Sequence, residues 1–194
     1  MGQTEADVRD QADMERLSAG YDAALNDLME RHATPIFHFL CRMVGNEDDA
    51  NDLAQETFVR VFKSRDSFRP GEKFSTWLYT IAANLARNHF RWRSRHPAIS
   101  FEAETGESEQ TPGGSLPAND PAPSEQTMTA ERTAAVRDAV SELPEDLREA
   151  IVLCEWEGRS VAEAAMILQA TPKAVESRLY RARQILRERL KLWL

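Results

Sequence analysis

Two cysteines, Cys41 and Cys154, stand far apart in 194 residues. They are too few for a disulfide framework, and their scarcity fits a reducing cytoplasm. No apolar run approaches the roughly 18 residues needed to span a bilayer. Met1 to Asp22 is acidic where a secretory leader would be basic and then apolar. The eight glycines nowhere gather into a phosphate-cradling loop, and no motif sets a nucleophile beside a base or assembles a metal site. His38 and Cys41 lie three apart, yet no second pair completes a metal constellation. The pair therefore reads as a core cysteine beside a surface histidine. These absences exclude the secreted, membrane-spanning and common enzyme classes. What remains is a cytoplasmic, non-enzymatic chain with no metal or cofactor.

Positive charge is also in short supply: the net charge is -8 and the pI about 5.1, a balance that discourages indiscriminate binding to nucleic acid. The deficit is uneven. Lys73 to Phe101 holds Lys73, Arg87, Arg91, Arg93 and Arg95 with no acid, and residues 171 to 194 hold seven bases against two acids. The stretch between 102 and 131 carries seven acids and no base. Two basic islands in an acidic chain suggest contact with phosphates at two chosen faces.

Hydrophobic periodicity predicts an all-α fold of two small helical domains. A flexible acidic tail is expected over 1–17 and a helical domain over 18–97. Leu25, Leu28, Met29, Ile36, Phe37, Leu40, Met43 and Val44 recur at helical spacing, with Thr34-Pro35 marking a kink or a restart. Asn46 can cap the next helix, whose apolar face is Leu53, Ala54, Phe58, Val61 and Phe62. After the loop Ser67 to Gly71, Ser75 is expected to open a third helix with Trp77, Leu78, Ile81, Ala82 and Leu85 on one side. Asn84, Arg87, Asn88, Arg91 and Arg95 then form one polar stripe with no interleaved acid. Guanidinium groups suit phosphates and amides suit base edges, so the stripe is what a nucleic-acid-reading helix needs.

Residues 98–130 hold seven of the chain's prolines and glycines among Ser, Thr and acids, without periodicity, and are expected to be a disordered linker. Such a chain spans about 30 Å as a coil and nearly 100 Å stretched. A second helical domain is expected over 131–194, with helices over 130–141 and from Pro144 through Cys154. Ser160 and Glu163 make a capping box that opens a short helix through Leu168, Gln169-Ala170-Thr171 is a turn, and Pro172 suits the first position of a longer basic helix. This is the helix-turn-helix plan. Lys173, Glu176, Ser177, Tyr180 and Arg181 are its groove-facing set, over a packing face of Val161, Ala164, Ala165, Ile167, Val175, Leu179 and Ile185.

Four stretches together resemble the extracytoplasmic-function sigma factors of the sigma-70 family of bacterial RNA polymerase. They are Asp48-Asp49-Ala50-Asn51-Asp52-Leu53-Ala54-Gln55-Glu56-Thr57-Phe58, then Phe74-Ser75-Thr76-Trp77-Leu78-Tyr79-Thr80-Ile81-Ala82-Ala83-Asn84, and Leu143-Pro144-Glu145 with Val175 to Arg183. The resemblance implies that Asp48, Asp49, Asp52, Gln55, Glu56 and Arg60 dock on core RNA polymerase. It implies that Phe68, Asn84, Arg87, Asn88, Arg91 and Arg95 recognise and melt the -10 element of promoter DNA. It places Lys173, Glu176, Ser177, Arg178, Tyr180 and Arg181 at the -35 element. An anti-sigma factor in a stress or envelope response is the implied regulator, and the acidic linker is a candidate to assist that control. Glu176 stands where some relatives have a base, which favours a different preferred sequence. Trp77 is either a core anchor or a stacking platform, and its shared face with Ile81 and Leu85 favours the anchor.

Residue chemistry alone leaves one rival, a helix-turn-helix repressor or activator that binds its operator without polymerase. Neither a dimerisation nor a ligand-binding segment is visible to support it.

Overall fold

A computed structural model describes residues 4–69, 71–96, 125–191 and 193, and among them the chain forms eight α-helices and no strand. Helix α1 (Glu5–Ser18) corrects the flexible tail expected over 1–17. Thr4 and Asp7 close a capping box at its start, worth about 1 kcal/mol. Met14 and Leu17 are fully buried. Between them and the start, Asp10 and Asp13 take apolar-face positions because Arg31 and His32 wait for them. Arg31 Nε lies 2.9 Å from Asp10 and Nη2 2.6 Å from Asp13, and His32 Nε2 is 2.8 Å from Asp10. A helix whose buried stripe is half carboxylate looks like a solvated acidic tail in sequence.

Arg31 and His32 belong to α2 (Ala24–Val44), which runs unbroken past Pro35 and so decides against a restart there. Gly45 ends it in the left-handed region at φ 76°, a conformation glycine adopts without strain. Asn46 accepts from the Asp49 amide to open α3 (Glu47–Lys63), as its cap position predicts. A 3-10 turn at Arg65–Ser67 leads to α4 (Phe74–Arg95). Here Phe74, not Ser75, is the first helical residue, and Lys73 caps it without a side-chain hydrogen bond. Ser75 is buried and serves as a hydrogen-bond acceptor instead.

Residues 98–124 of the expected linker lie outside the described residues. Helix α5 (Glu125–Ser141) begins before the expected boundary at 130. Helix α6 (Glu145–Ile151) passes into a widened π turn, Val152–Trp156, where one continuous helix through Cys154 was expected. Ser160 and Glu163 form the capping box of α7 (Val161–Ile167). Gln169 takes φ 51° in the turn, and Thr171 caps α8 (Pro172–Arg189) with Pro172 in its first turn. Ala164, Ala165, Ile167, Val175 and Leu179 are buried between the two helices, so the helix-turn-helix packs as its sequence pattern indicates.

The two helical units do not stand apart. Their cores run together in a single hydrophobic cluster, with α4 packed on α7 and α2 packed on α5, α6 and the π turn. Directional contacts cross this seam along its length. Lys73 donates to Glu163 at 2.9 Å near the start of α4. In the middle, Tyr79 donates to Glu157 at 2.6 Å while Arg159 donates to Ser75 at 3.0 Å and lies 4.5 Å over the Tyr79 ring. At the far end, Arg148 donates to the Met43 carbonyl at 2.6 Å and lies 5.5 Å from the Phe90 ring.

Candidate nucleic-acid interface

Helix α4 buries Leu78, Ala82, Leu85 and Ala86 and turns the opposite side outward. Along that side Asn88, Arg91 and Arg95 are exposed, and Asn84 and Arg87 are half-buried. Arg87 Nη2 donates to Asn84 Oδ1 at 2.7 Å, and Arg95 folds back onto the Arg91 carbonyl. Five acid-free residues thus share one face, two of them amides able to meet base edges.

Beside Asn84 the C-terminal end of α3 and the middle of α4 diverge. They leave an open cleft of about 400 Å³ lined by Arg60, Lys63, Ser64, Ile81 and Asn84. Arg60, read from sequence with the acidic face of α3, therefore also borders this cleft, where its guanidinium bonds Glu56 at 2.9 Å. Lys63 and Ser64 escaped sequence reading, although Arg60 and Lys63 are spaced one turn apart and so share a face. A cleft lined by two cations, an amide, a hydroxyl and one apolar side chain suits a nucleotide: cations for the phosphate, polar groups for the base.

Phe68 is partly buried, its ring 5.4 Å from Trp77 and 6.2 Å from Phe74. Trp77 is likewise partly buried against the core, which favours the anchor reading. Trp92 was missed: it is 46% exposed and stacks on His96 at 4.9 Å, among Arg91, Arg93 and Arg95. An aromatic interleaved with arginines was its signal.

On α3, Asp48, Asp52 and Gln55 are exposed at steps of four and three and continue to an exposed Val59. Asp49 departs from that face. Its carboxylate lies 3.4 Å from His89 Nε2 and 3.8 Å from Arg93 on α4, so it holds α3 to α4. On α8, Lys173, Glu176, Ser177 and Tyr180 are exposed along one side, with Tyr180 at 66%. Arg181 is exposed beside them and sits 3.8 Å from Asp146. Arg178 is on the flank, half-buried at 3.6 Å from the same carboxylate. The described residues contain no group of three metal-ligating side chains. His38 is exposed and Cys41 partly buried, its thiol pushed up by burial.

Comparison with known proteins bears on both surfaces. Residues 28–96 match the family model for sigma-70 region 2, and residues 133–186 match that for sigma-70 region 4. The RNA polymerase sigma factor CarQ of Myxococcus xanthus is 38% identical over 177 residues, covering 91% of this chain and 95% of that protein. The chain belongs to the extracytoplasmic-function sigma factors. The sigma-E factor of Haemophilus influenzae is 33% identical, with coverage of 94% and 96%. Among solved structures, CnrH in complex with the cytosolic domain of CnrY superposes with a TM-score of 0.69 at 27% identity, covering 95% of this chain and 98% of that one. The sigma factor RpoE bound to the anti-sigma factor NepR, from Bartonella quintana, gives 0.61 at 27% identity, covering 87% and 98%. The region 2 match contains the acidic face of α3, the cleft and the stripe of α4, and the region 4 match contains the helix-turn-helix. Members of this family are transcription factors. None of the described helices is long and apolar enough to cross a membrane.

Proposed function

We propose that this sigma factor binds core RNA polymerase in the cytoplasm and directs promoter-specific initiation. It melts the -10 element on α3 and α4 and reads the -35 element with α8. The observation that carries this reading is the nucleotide-sized cleft beside the acid-free stripe of α4. Extruding a base costs a few kcal/mol, and stacking and hydrogen bonding return about 1–3 kcal/mol per base, so several contacts must act together. Asn84 and Ser64 supply the polar contacts in the cleft, Arg60 and Lys63 the phosphate contacts. Asn88, Arg87, Arg91 and Arg95 track the strand, and Trp92 offers an aromatic face at its end. Phe68 supports the loop beside the cleft through Trp77 and Phe74.

The exposed Asp48, Asp52 and Gln55, with the half-buried Glu56, form the polymerase-facing surface, with Arg60 at its border and Asp49 fixing its angle against α4. In the distal element Lys173, Ser177, Tyr180 and Arg181 face the groove. Glu176 accepts from cytosine, and Arg178 reaches the backbone from the flank. Solved relatives bound to CnrY and NepR support an anti-sigma factor as the partner that restrains this chain, in a stress or envelope response.

Promoter-selective transcription tests the proposal. Core polymerase with this protein should select and initiate at a defined promoter from a randomised duplex pool. Core alone should not, and the free chain should bind the same DNA weakly. Tight operator binding by the free chain without initiation would replace this reading with that of a repressor or activator.

A further inference from the structure

A carboxylate from another helix flanks the groove-facing side of α8. Asp146 stands in the first turn of α6, and α6 packs along α8 and buries Leu147, Ala150 and Ile151. The Asp146 Oδ2 lies 3.6 Å from Arg178 Nε and 3.8 Å from Arg181 Nη2. Those two arginines are one turn apart, between the exposed side of α8 and the side that buries Val175, Leu179 and Ala182. Packing therefore fixes both backbones, while the three charged ends meet at the surface.

So exposed a contact adds little to folding: the Asp146 side chain is 46% exposed and that of Arg181 56%, and water screens the attraction. Its effect is directional. A guanidinium is a planar fork of N–H donors, and an unrestrained one on α8 would take the phosphates, which carry no sequence information. Asp146 repels phosphate from that flank and holds one edge of the Arg181 fork. The remaining donors are left for base edges, where a bidentate contact to guanine O6 and N7 reads sequence. Two further pairs reach α8 from other elements, Arg183 with Glu155 at 2.6 Å and Arg189 with Glu142. Both stand nearer the C-terminal end of α8, past the N-terminal residues that a recognition helix inserts.

We propose that Asp146 is a positioning residue that sets base preference at the -35 element: it orients Arg181, with Arg178 beside it, before DNA arrives and turns Arg181 from phosphate to base. The inference rests on the promoter reading above. Holoenzyme binding tests it, with core polymerase, the full chain and promoters varied base by base in the -35 element, at several salt concentrations. Asp146→Asn should flatten the preference at the position that Arg181 reads by about tenfold. It should also tighten binding to random-sequence DNA and steepen the salt dependence by about one phosphate contact. Arg181→Ala should lose the same preference, and adding Asp146→Asn to it should cost nothing more, because the two act through one contact. Glu155→Gln, which breaks the Arg183 pair, should leave the preference as it is in the unaltered chain. An unchanged preference in Asp146→Asn would overturn the proposal. Losses that add in the double variant would overturn it too, since Asp146 would then act on the fold and not through Arg181. An equal loss in Glu155→Gln would reduce the effect to net charge and overturn it likewise. A native holoenzyme with no base preference in that element would overturn the promoter reading itself, and the proposal with it.

Discussion

At Glu149 burial and charge pull in opposite directions, and burial prevails. Desolvation pushes its carboxyl up to about 7, against Arg87 of α4 and Arg178 of α8, which lower it, while Glu145 and Asp146 of its own helix raise it further. Among the described residues its Oε1 accepts no hydrogen bond, and the Arg87 guanidinium 3.4 Å away does not offset the desolvation. Unfolding exposes this group and returns it toward its ordinary value of 4.5. The folded form therefore holds the proton more tightly. Its extra stability is complete below about pH 4.5, declines as pH rises through 7, and is constant above. The midpoint of chemical denaturation should fall from pH 5.5 to 7.5 and then level off, and Glu149→Gln should flatten that profile. A profile unchanged by the substitution would assign the titration elsewhere. On α8, Arg181→Ala should weaken -35 recognition by about 1–3 kcal/mol, as one lost base contact does, with polymerase affinity unchanged. Arg178→Ala, from the half-buried flank, should instead lower thermal stability and alter base preference less. Promoter variants mutated base by base distinguish the two effects.

Elements were legible in sequence where a cap and an apolar stripe agreed. Asn46 and α3, or Ser160, Pro172 and the pair α7–α8, were such places. Legibility failed where polar groups took buried positions. The stripe of α1 contains Asp10 and Asp13, whose partners Arg31 and His32 are some twenty residues away, a distance over which no local pattern operates. Ser75 looked like a cap because it precedes an apolar run, yet it is held inside the helix by Arg159. The stripe of α4 was visible because one helix carries it, and the cleft was not because α3 and α4 share it. Glu163 shows one side chain serving two elements. It closes the α7 capping box with Ser160 and bonds Lys73, the residue that caps α4. Lys73 and Ser160 hold its carboxyl down at about 2, overcoming its burial. Glutamine also completes a capping box, so Glu163→Gln should preserve α7 and weaken only the seam. Glu163→Ala should lose both and cost a further ~1 kcal/mol of stability. Chemical denaturation distinguishes the outcomes, and equal stability of Glu163→Gln and the unaltered chain would remove Lys73–Glu163 from the contacts that hold the seam.

Across the whole molecule the charges are arranged so that an acidic chain concentrates its positive charge on α4 and α8. An overall charge of -8 weakens binding of the free protein to DNA. The segment from 97 to 124 links the units that carry these helices, and its length is a number that can be tested. Each helical unit of some 70–80 residues is about 30 Å across. Elements named for positions -10 and -35 are about 25 base pairs apart, roughly 85 Å of duplex at ~3.4 Å per pair, which leaves a gap of about 55 Å for the connection to bridge. Deleting residues 101–120 shortens its reach to about 30 Å, too little for the gap but enough for neighbouring packed units. The shortened protein should fold and bind core polymerase through α3, yet lose initiation at promoters that require both elements. Replacing the same segment at full length with a neutral Gly-Ser sequence should restore initiation, because reach is then recovered. If the neutral replacement also raises DNA binding by the free chain, the acids of the native segment act as a further restraint. If the shortened protein still initiates from both elements, the two units are not separated by the full promoter spacing.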